Sequence, residues 1–206
     1  MNHEIFIFGS MVRGEVSRTS DCDILVIPDG DVDRSLLPES WSVYHRQTIK
    51  EFYEKGRLFA WHLHLEGQCV FSARDKNWLE ILGTPHSYND AKEDVGELSA
   101  LLSESLNALR GGSNSEVYEL GICYTALRDI AMSASWSQLG RPSFSRNAPY
   151  YLQPPLPLSE QAYASAMNAR HFSTRGGSFP SNVQQTVVQF LEAPLLEWAQ
   201  TLWSKL

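Results

Sequence analysis

Cysteine is scarce in this sequence, and its placement excludes two common kinds of small scaffold. The 206 residues include three cysteines, Cys22, Cys69 and Cys123, which lie far apart and never form a Cys-x-x-Cys pair. An odd and dispersed set of cysteines indicates neither a disulfide framework nor a zinc knuckle. Such a chain suits a reducing compartment, and we therefore expect a cytoplasmic protein.

Basic residues and long apolar runs are also few. The chain has 17 Lys and Arg against 24 Asp and Glu, a formal net charge of −7, which disfavours a general nucleic-acid or membrane binder. The opening MNHEIFIFGS lacks the basic and apolar segments of a signal peptide, and no window approaches the ~18 apolar residues of a membrane span. We expect no membrane partner. Any polyanionic ligand must be bound by a local site with a metal ion or a few arginines.

The spacing of apolar residues changes along the chain and marks a domain boundary. With 43% hydrophobic residues, the chain can bury a substantial core. Residues 1–84 mix short β-type runs with turns, whereas residues 85–206 show mostly helical spacing. We expect an α+β protein with a core in residues 1–84 and a helical region in residues 85–206.

The same patterns predict individual elements. In the first region, the predicted strands are residues 4–8, 22–27, 41–45, 58–66 and 68–72, with a helix over residues 48–55. The fifth strand is expected to pair with the fourth across a Glu66-Gly67 turn. In the second region, the predicted helices are residues 89–109, 115–139, 159–172 and 182–206, the last kinked at Pro194, with a proline-rich loop over residues 142–157.

Chemistry-bearing residues concentrate between the first two predicted strands. The first strand ends in Gly9-Ser10, and Asp21 and Asp23 stand at the start of the second. Residues two apart on a strand face the same side, so the two carboxylates lie side by side. Such a pair suits Mg²⁺, which takes oxygen ligands and shares them with substrate phosphates. Gly9 lets the backbone approach a phosphate, and Ser10 and Arg13 can donate hydrogen bonds to it.

These residues resemble a known family. The strand, Gly-Ser, Arg13-Gly14, Ser20 before the first aspartate and the following apolar strand are spaced as in minimal nucleotidyltransferases of the DNA polymerase β superfamily. The pattern closely resembles that of the members found in bacterial toxin–antitoxin and anti-phage defence systems. It covers about residues 4–72 and implies a nucleotidyltransferase-type mixed β-sheet flanked by helices.

The resemblance also implies roles for individual residues. Gly9, Ser10 and Arg13 would hold the outer phosphates of the nucleotide, and Asp21 and Asp23 would be catalytic and bind one or two Mg²⁺ or Mn²⁺ ions. In-line attack of an acceptor hydroxyl on the α-phosphate would then expel pyrophosphate, with the metal ions activating the nucleophile and stabilising the leaving oxygen.

The implied function is transfer of a nucleotide from a nucleoside triphosphate, such as ATP, to a hydroxyl on a protein or a nucleic-acid end. Resemblance to defence and toxin–antitoxin members adds a cognate toxin or effector protein as an expected partner. Two alternatives stay open: an oligonucleotide or second-messenger synthase serving a separate effector, and a degenerate core that binds nucleotide without turnover. Antibiotic modification is less favoured, because the helical region lacks the acidic cluster expected to bind a polycationic drug.

One part of the family pattern is missing. The family usually supplies a third carboxylate from a later strand, where residues 41–45 contain no acid. If residues 58–66 form a strand, His62, His64 and Glu66 share one face of it. We then expect Glu66 to be catalytic as a metal ligand or base, and His64 to be a general base near neutral pH. The competing interpretation is the solvent face of an amphipathic strand.

The helical region offers three further arginines. Arg128 lies four residues after Tyr124 on one predicted helix face, while Arg146 and Arg175 stand in polar segments. Helical partners of nucleotidyltransferase cores often bind the base or the acceptor, so the resemblance makes these arginines candidates for that role. For any single one of them, an ordinary surface or bridging arginine is the more common case.

Overall fold

The chain forms two compact units. The computed structural model describes residues 3–16, 22–178 and 180–206. Residues 1–89 form the first unit and residues 90–206 the second. The first unit combines a mixed sheet with helices and the second is helical, which confirms the expected α+β class.

The sheet of the first unit has four strands in the described residues. They are β1 (His3–Phe8), β2 (Asp23–Pro28), β3 (Ser42–Val43) and β4 (Gln68–Phe71), in the order β3-β2-β1-β4. β1 runs antiparallel to both β2 and β4, and β3 pairs with β2 in parallel. The register sets Phe8 opposite Asp23, so the end of β1 meets the start of β2.

Three helices pack on one face of this sheet: α1 (Arg46–Glu54), α2 (Leu58–Glu66) and α3 (Trp78–Leu82). Alternate residues of β1 point inward, as the period of two in a strand requires. The apolar core collects residues from the strands and the helices: Phe6, Phe8, Leu25, Ile27, Ile49, Tyr53, Ala60, Leu63 and Leu79. The helices therefore cover the face on which Phe8 and Asp23 stand opposite each other.

The prediction of a strand over residues 58–66 is wrong, because this segment is the helix α2. The short alternation of polar and apolar residues also fits a helix: Phe59, Ala60 and Leu63 have helical spacing and pack into the core of the unit. β4 consequently pairs with β1 rather than with a fourth strand before it.

A polar network ties the other end of β1 to the helices. The buried carboxylate of Glu4 accepts hydrogen bonds from Arg46 Nη2 at 2.9 Å and from the backbone N–H of Trp78 at 2.6 Å. The same Arg46 nitrogen lies 2.5 Å from Asp29, which also pairs with Arg74 at 3.1 Å. This network joins β1, the segment after β2, and the N-terminal ends of α1 and α3.

The second unit is built around one long helix. Its helices are α4 (Ala91–Arg110), α5 (Glu116–Leu139), α6 (Ala148–Tyr151), α7 (Glu160–Arg175), α8 (Val183–Glu192) and α9 (Leu195–Trp203). α5 crosses α7 closely at Gly121, where an added Cβ would lie 2.9 Å from the Cα of Arg170. None of the helices in the described ranges is long and apolar enough to cross a membrane.

Two local expectations for this unit need correction. The helix predicted over residues 182–206 is broken rather than kinked, since α8 ends at Glu192 and α9 begins at Leu195. Pro194 causes the break because it has no N–H to donate and its ring clashes with the preceding turn. The segment over residues 142–157, predicted to be a loop, contains the short helix α6.

Candidate active site

A tight turn follows β1 and carries the Gly-Ser sequence. Gly9 has φ +77°, a conformation that residues with a Cβ rarely adopt. Its carbonyl accepts the N–H groups of Val12 at 3.1 Å and Arg13 at 3.2 Å, and the Ser10 carbonyl accepts that of Glu15 at 2.9 Å. The turn over residues 9–15 is therefore held by its own backbone.

The carboxylate of Asp23 lies against this turn. A Cβ built on Gly9 would stand 2.2 Å from Asp23 Oδ2, far inside any normal contact. A side chain at this position would therefore require the Asp23 carboxylate to move, in addition to the unfavourable backbone conformation. The turn and the carboxylate, separated in sequence by the spacer, thus meet at one point.

This geometry fits part of a site for Mg²⁺ or Mn²⁺. Asp23 supplies a hard oxygen ligand that lies directly beside the glycine turn. Asp21, the expected second ligand, and Ser20 before it lie outside the described residues. Among the residues that are described, no group of three or more His, Cys, Asp and Glu could hold a metal ion. A metal ion here would thus depend on further oxygens, from Asp21 and from substrate phosphates.

The third strand supplies no acid. Ser42 stands opposite Leu25 and Val43 opposite Val26, and the N–H of Tyr44 continues the pairing by donating to the Val26 carbonyl at 3.2 Å. Tyr44 packs against the core of the first unit. The third carboxylate that is missing from the sequence pattern is therefore also missing from the strand β3.

Glu66 lies on helix α2, at its last residue, and its carboxylate already has two partners. Arg13 Nη1 donates to Glu66 Oε2 at 2.6 Å, and His62 Nε2 lies 3.0 Å from the same oxygen. Arg13 Nε also donates to Glu15 at 3.1 Å. The structure thus joins Arg13 and Glu66, two residues that the sequence suggested for separate roles.

The expected grouping of His62, His64 and Glu66 on one face is wrong. On a helix, His62 and Glu66 are four residues apart and neighbours, whereas His64 points elsewhere. His64 is exposed and lines a different pocket of about 520 Å³ with Cys69 and Glu80. Sequence reasoning missed the pairing of His62 with Glu66, although the helical spacing of the pair was available as a signal.

Two of the three arginines of the helical unit, Arg128 and Arg146, have identified contacts within that unit. Arg128 Nε donates to Asp129 at 2.7 Å, and its guanidinium lies 5.9 Å from the ring centre of Tyr124. The Arg146 carbonyl accepts the hydroxyl of Tyr163 at 3.0 Å. Arg175 ends α7. Arg128 and Arg146 therefore contact residues of the helical unit itself, and binding of the base or the acceptor by any of the three arginines stays a prediction.

Comparison with known proteins agrees with the geometry of the first unit. The family model described as "Nucleotidyltransferase domain" matches residues 2–81, a range that contains the Gly-Ser turn, Asp23 and Glu66. Residues 2–81 form a nucleotidyltransferase domain. The resemblance recognised in the sequence is thereby confirmed, and the protein is a transferase that acts on nucleoside triphosphates.

The chain is also similar to a solved structure. It is similar to the crystal structure of spectinomycin adenyltransferase AAD(9) from Enterococcus faecialis with ATP and spectinomycin, at 12% sequence identity and a TM-score of 0.45. The similarity covers 97% of this chain and 92% of that one. No curated protein matches the sequence.

Proposed function

We propose that this nucleotidyltransferase depends on Mg²⁺ or Mn²⁺ and transfers a nucleotide from a nucleoside triphosphate to a hydroxyl acceptor, with release of pyrophosphate. The observation that carries the proposal is the contact between the Gly9 backbone and the Asp23 carboxylate. Nucleotidyl transfer needs a phosphate-binding turn next to a metal-binding carboxylate. In this proposal Gly9 belongs to the turn and Asp23 supplies the carboxylate.

Each residue of the site has a distinct task in this proposal. Asp23, with Asp21 beside it on the chain, holds the metal ion. When bound, the metal ion neutralises phosphate charge and activates the attacking hydroxyl. Gly9 lets the backbone approach the phosphates, and the hydroxyl and first amides of the turn at Ser10 donate hydrogen bonds to them. Arg13 adds a charged donor from the end of the same turn.

The acceptor we favour is a hydroxyl on a protein, with a nucleic-acid end as the second choice. A net charge of −7 repels a long polyanion, whereas a protein acceptor can be bound by a small part of the surface. By its resemblance to minimal nucleotidyltransferases, we propose a role in bacterial anti-phage defence or a toxin–antitoxin pair. A cognate toxin or effector protein would then be the acceptor. The thiols of Cys22, Cys69 and Cys123 are all free, which suits the cytoplasm.

The test is a transfer assay with the purified chain. Each nucleoside triphosphate, labelled at the α-phosphate, is incubated with the chain, Mg²⁺ or Mn²⁺ and a lysate, and label is followed into protein, nucleic acid and small molecules. We expect metal-dependent label in protein, loss of transfer in Asp23→Asn, and normal transfer in Asp31→Asn, which changes an exposed acid. Absence of transfer from all four nucleotides would reject the proposal, and label in small molecules alone would reject the protein acceptor.

A second candidate is a core that binds nucleotide without turnover. The lack of an acid on β3 favours it, because two metal-binding carboxylates can hold a nucleotide while the acceptor hydroxyl stays unactivated. Calorimetric titration with a nucleoside triphosphate, run beside a pyrophosphate assay, separates the two candidates. Binding with Mg²⁺ but no pyrophosphate, across a full set of acceptors, would favour the second.

A further inference from the structure

The Gly-Ser turn is connected to helix α2 through one arginine. Arg13 lies within the turn over residues 9–15, and its guanidinium donates to Glu66 on α2 at 2.6 Å and to Glu15 at 3.1 Å. These bonds use Nη1 and Nε. The remaining nitrogen, Nη2, makes no hydrogen bond to any residue in the described ranges.

Glu66 is itself held in place from the other side. His62 Nε2 lies 3.0 Å from the Glu66 oxygen that also accepts Arg13, and this carboxylate is only 12% exposed. The ring of His62 packs edge-on against Phe8, with ring centres 5.2 Å apart. Phe8 is the residue before Gly9, so the contacts form a closed loop that runs from Phe8 through the turn, Arg13, Glu66 and His62 back to Phe8.

We propose that Glu66, supported by His62, is a positioning residue that aims Arg13 at the triphosphate and fixes the shape of the turn. A guanidinium bound through two of its nitrogens cannot rotate freely, so the third nitrogen keeps a fixed direction. Binding then costs less conformational entropy than it would with a mobile arginine. This inference rests on the proposed function, and it replaces the expectation that Glu66 is a metal ligand or base.

The proposal and its alternatives differ in two respects. One is whether Glu66→Gln weakens or strengthens triphosphate binding, and the other is whether its effect adds to that of removing Arg13. If Glu66 positions Arg13, Glu66→Gln weakens triphosphate binding and has no further effect once Arg13 is gone. If Glu66 instead competes with phosphate for Arg13, the same change strengthens binding. If Glu66 binds the metal ion directly, its effect and that of Arg13 add up, because residues acting independently contribute additively.

The experiment is a double-mutant cycle on the full chain. Wild type, Glu66→Gln, Arg13→Ala and the double variant are titrated with inorganic triphosphate and with the α,β-methylene analogue of ATP, each with Mg²⁺, and with adenosine as a probe without phosphates. Arg13→Gln serves as a second arginine variant, and thermal melts of all proteins compare their folding. Glu54→Gln, in the exposed Lys50–Glu54 pair on α1, is the matched control.

We expect Glu66→Gln to weaken binding of both phosphate probes roughly tenfold, as for the loss of one charge-assisted hydrogen bond. Adenosine affinity should not change, and the double variant should match Arg13→Ala. His62→Ala should weaken binding by a smaller factor, with His62→Gln, which keeps a hydrogen-bonding side chain, closer to wild type. A purely structural defect would change melting and adenosine affinity as well.

Two results overturn the inference while leaving the proposed function intact. One is additive losses in the cycle, and the other is tighter triphosphate binding by Glu66→Gln, each with normal metal-dependent transfer by the wild type. If the wild type binds neither phosphate probe, the inference and the proposed function fall together.

Discussion

The two units of this protein are stabilised in different ways. In the first unit, a small apolar core is accompanied by ionic networks, one around Arg46 and one around Glu66. In the second, the long helices α4, α5 and α7 pack mainly through apolar and small residues. One of the ionic networks adjoins the turn that carries Gly9 and Ser10, and the other lies at the opposite end of β1.

This difference has a physical basis. Side chains that must meet phosphates and a metal ion have to be polar and fixed in direction, and ion pairs fix direction better than apolar contacts do. The cost is that each charge needs a partner when it is partly buried. We therefore expect the first unit to be sensitive to the loss of single charges or of its special glycine, and the second to the loss of volume.

The largest effect should come from a cavity in the second unit. Leu127 is fully buried in the middle of α5, and Leu127→Ala should lower the free energy of unfolding by about 2–5 kcal/mol. Leu139→Ala removes an exposed leucine from the end of the same helix and should cost less than about 0.5 kcal/mol. Urea unfolding of both variants checks this. Equal losses would mean that apolar burial does not govern this unit.

The next effect concerns the turn at the active site. Gly9→Ala puts a Cβ onto the Asp23 carboxylate and into a left-handed backbone, so pyrophosphate release should fall roughly a hundredfold, about 2.7 kcal/mol. Gly14→Ala is the matched control, because Gly14 also has positive φ, at +72°, but its Cβ would meet nothing within 4 Å. If the two variants lose activity equally, backbone strain rather than contact with Asp23 explains the need for glycine.

A smaller effect is expected from the ionic network of the first unit. Arg46→Met keeps the apolar stem of the side chain but leaves the buried Glu4 without its cation. We expect the free energy of unfolding to fall by about 2 kcal/mol, which is below the range for fully buried pairs because Arg46 is 20% exposed. Lys50→Met breaks an exposed pair on the same helix and should cost about 0.3–0.5 kcal/mol. Denaturation of the two variants in low and high salt measures both. A loss for Arg46→Met no larger than that of Lys50→Met would contradict the contrast between the units.

The smallest expected effect concerns the reactivity of the thiols in the two units. Burial raises the pKa of Cys123 to about 12, and burial also raises the pKa of the Cys69 thiol despite its exposed position. Because only the thiolate reacts, both should label more slowly at pH 8 than a free cysteine, and Cys123 should label only when the second unit opens. Single-cysteine variants, labelled with iodoacetamide in increasing urea, measure this. Rapid labelling of Cys123 in native protein would contradict the packing of α5.

Local signals allowed much of the fold to be predicted from the sequence. The strands at residues 4–8 and 22–27 and the helices α4 and α5 were predicted within a few residues, because their periodicity is long or their boundaries are sharp. The family of the first unit was also recognised, because Gly9, Ser10 and Asp23 are close in sequence and their spacing is specific. Such features need no knowledge of distant contacts.

The rest depends on contacts that no local pattern reveals. Over residues 58–66, the alternation of polar and apolar residues fits a strand and a helix equally, and only packing against the sheet decides for α2. The bond between Arg13 and Glu66 joins residues 53 positions apart. The pairing of Glu66 with Arg13 could therefore not be read from its neighbours in the sequence, and the grouping with His64 followed from the wrong element. The catalytic role of Glu66 as a third carboxylate stays a prediction.

The central claim is that a metal ion and a triphosphate meet at Gly9 and Asp23. The most direct test is paramagnetic broadening of backbone amide signals by Mn²⁺ in the presence of the α,β-methylene analogue of ATP. We predict the strongest broadening at Gly9, Ser10 and Asp23, dependent on the nucleotide and lost in Asp23→Asn. Strongest broadening at another place, such as the pocket lined by His64, Cys69 and Glu80, or equal broadening in Asp23→Asn, would contradict the account.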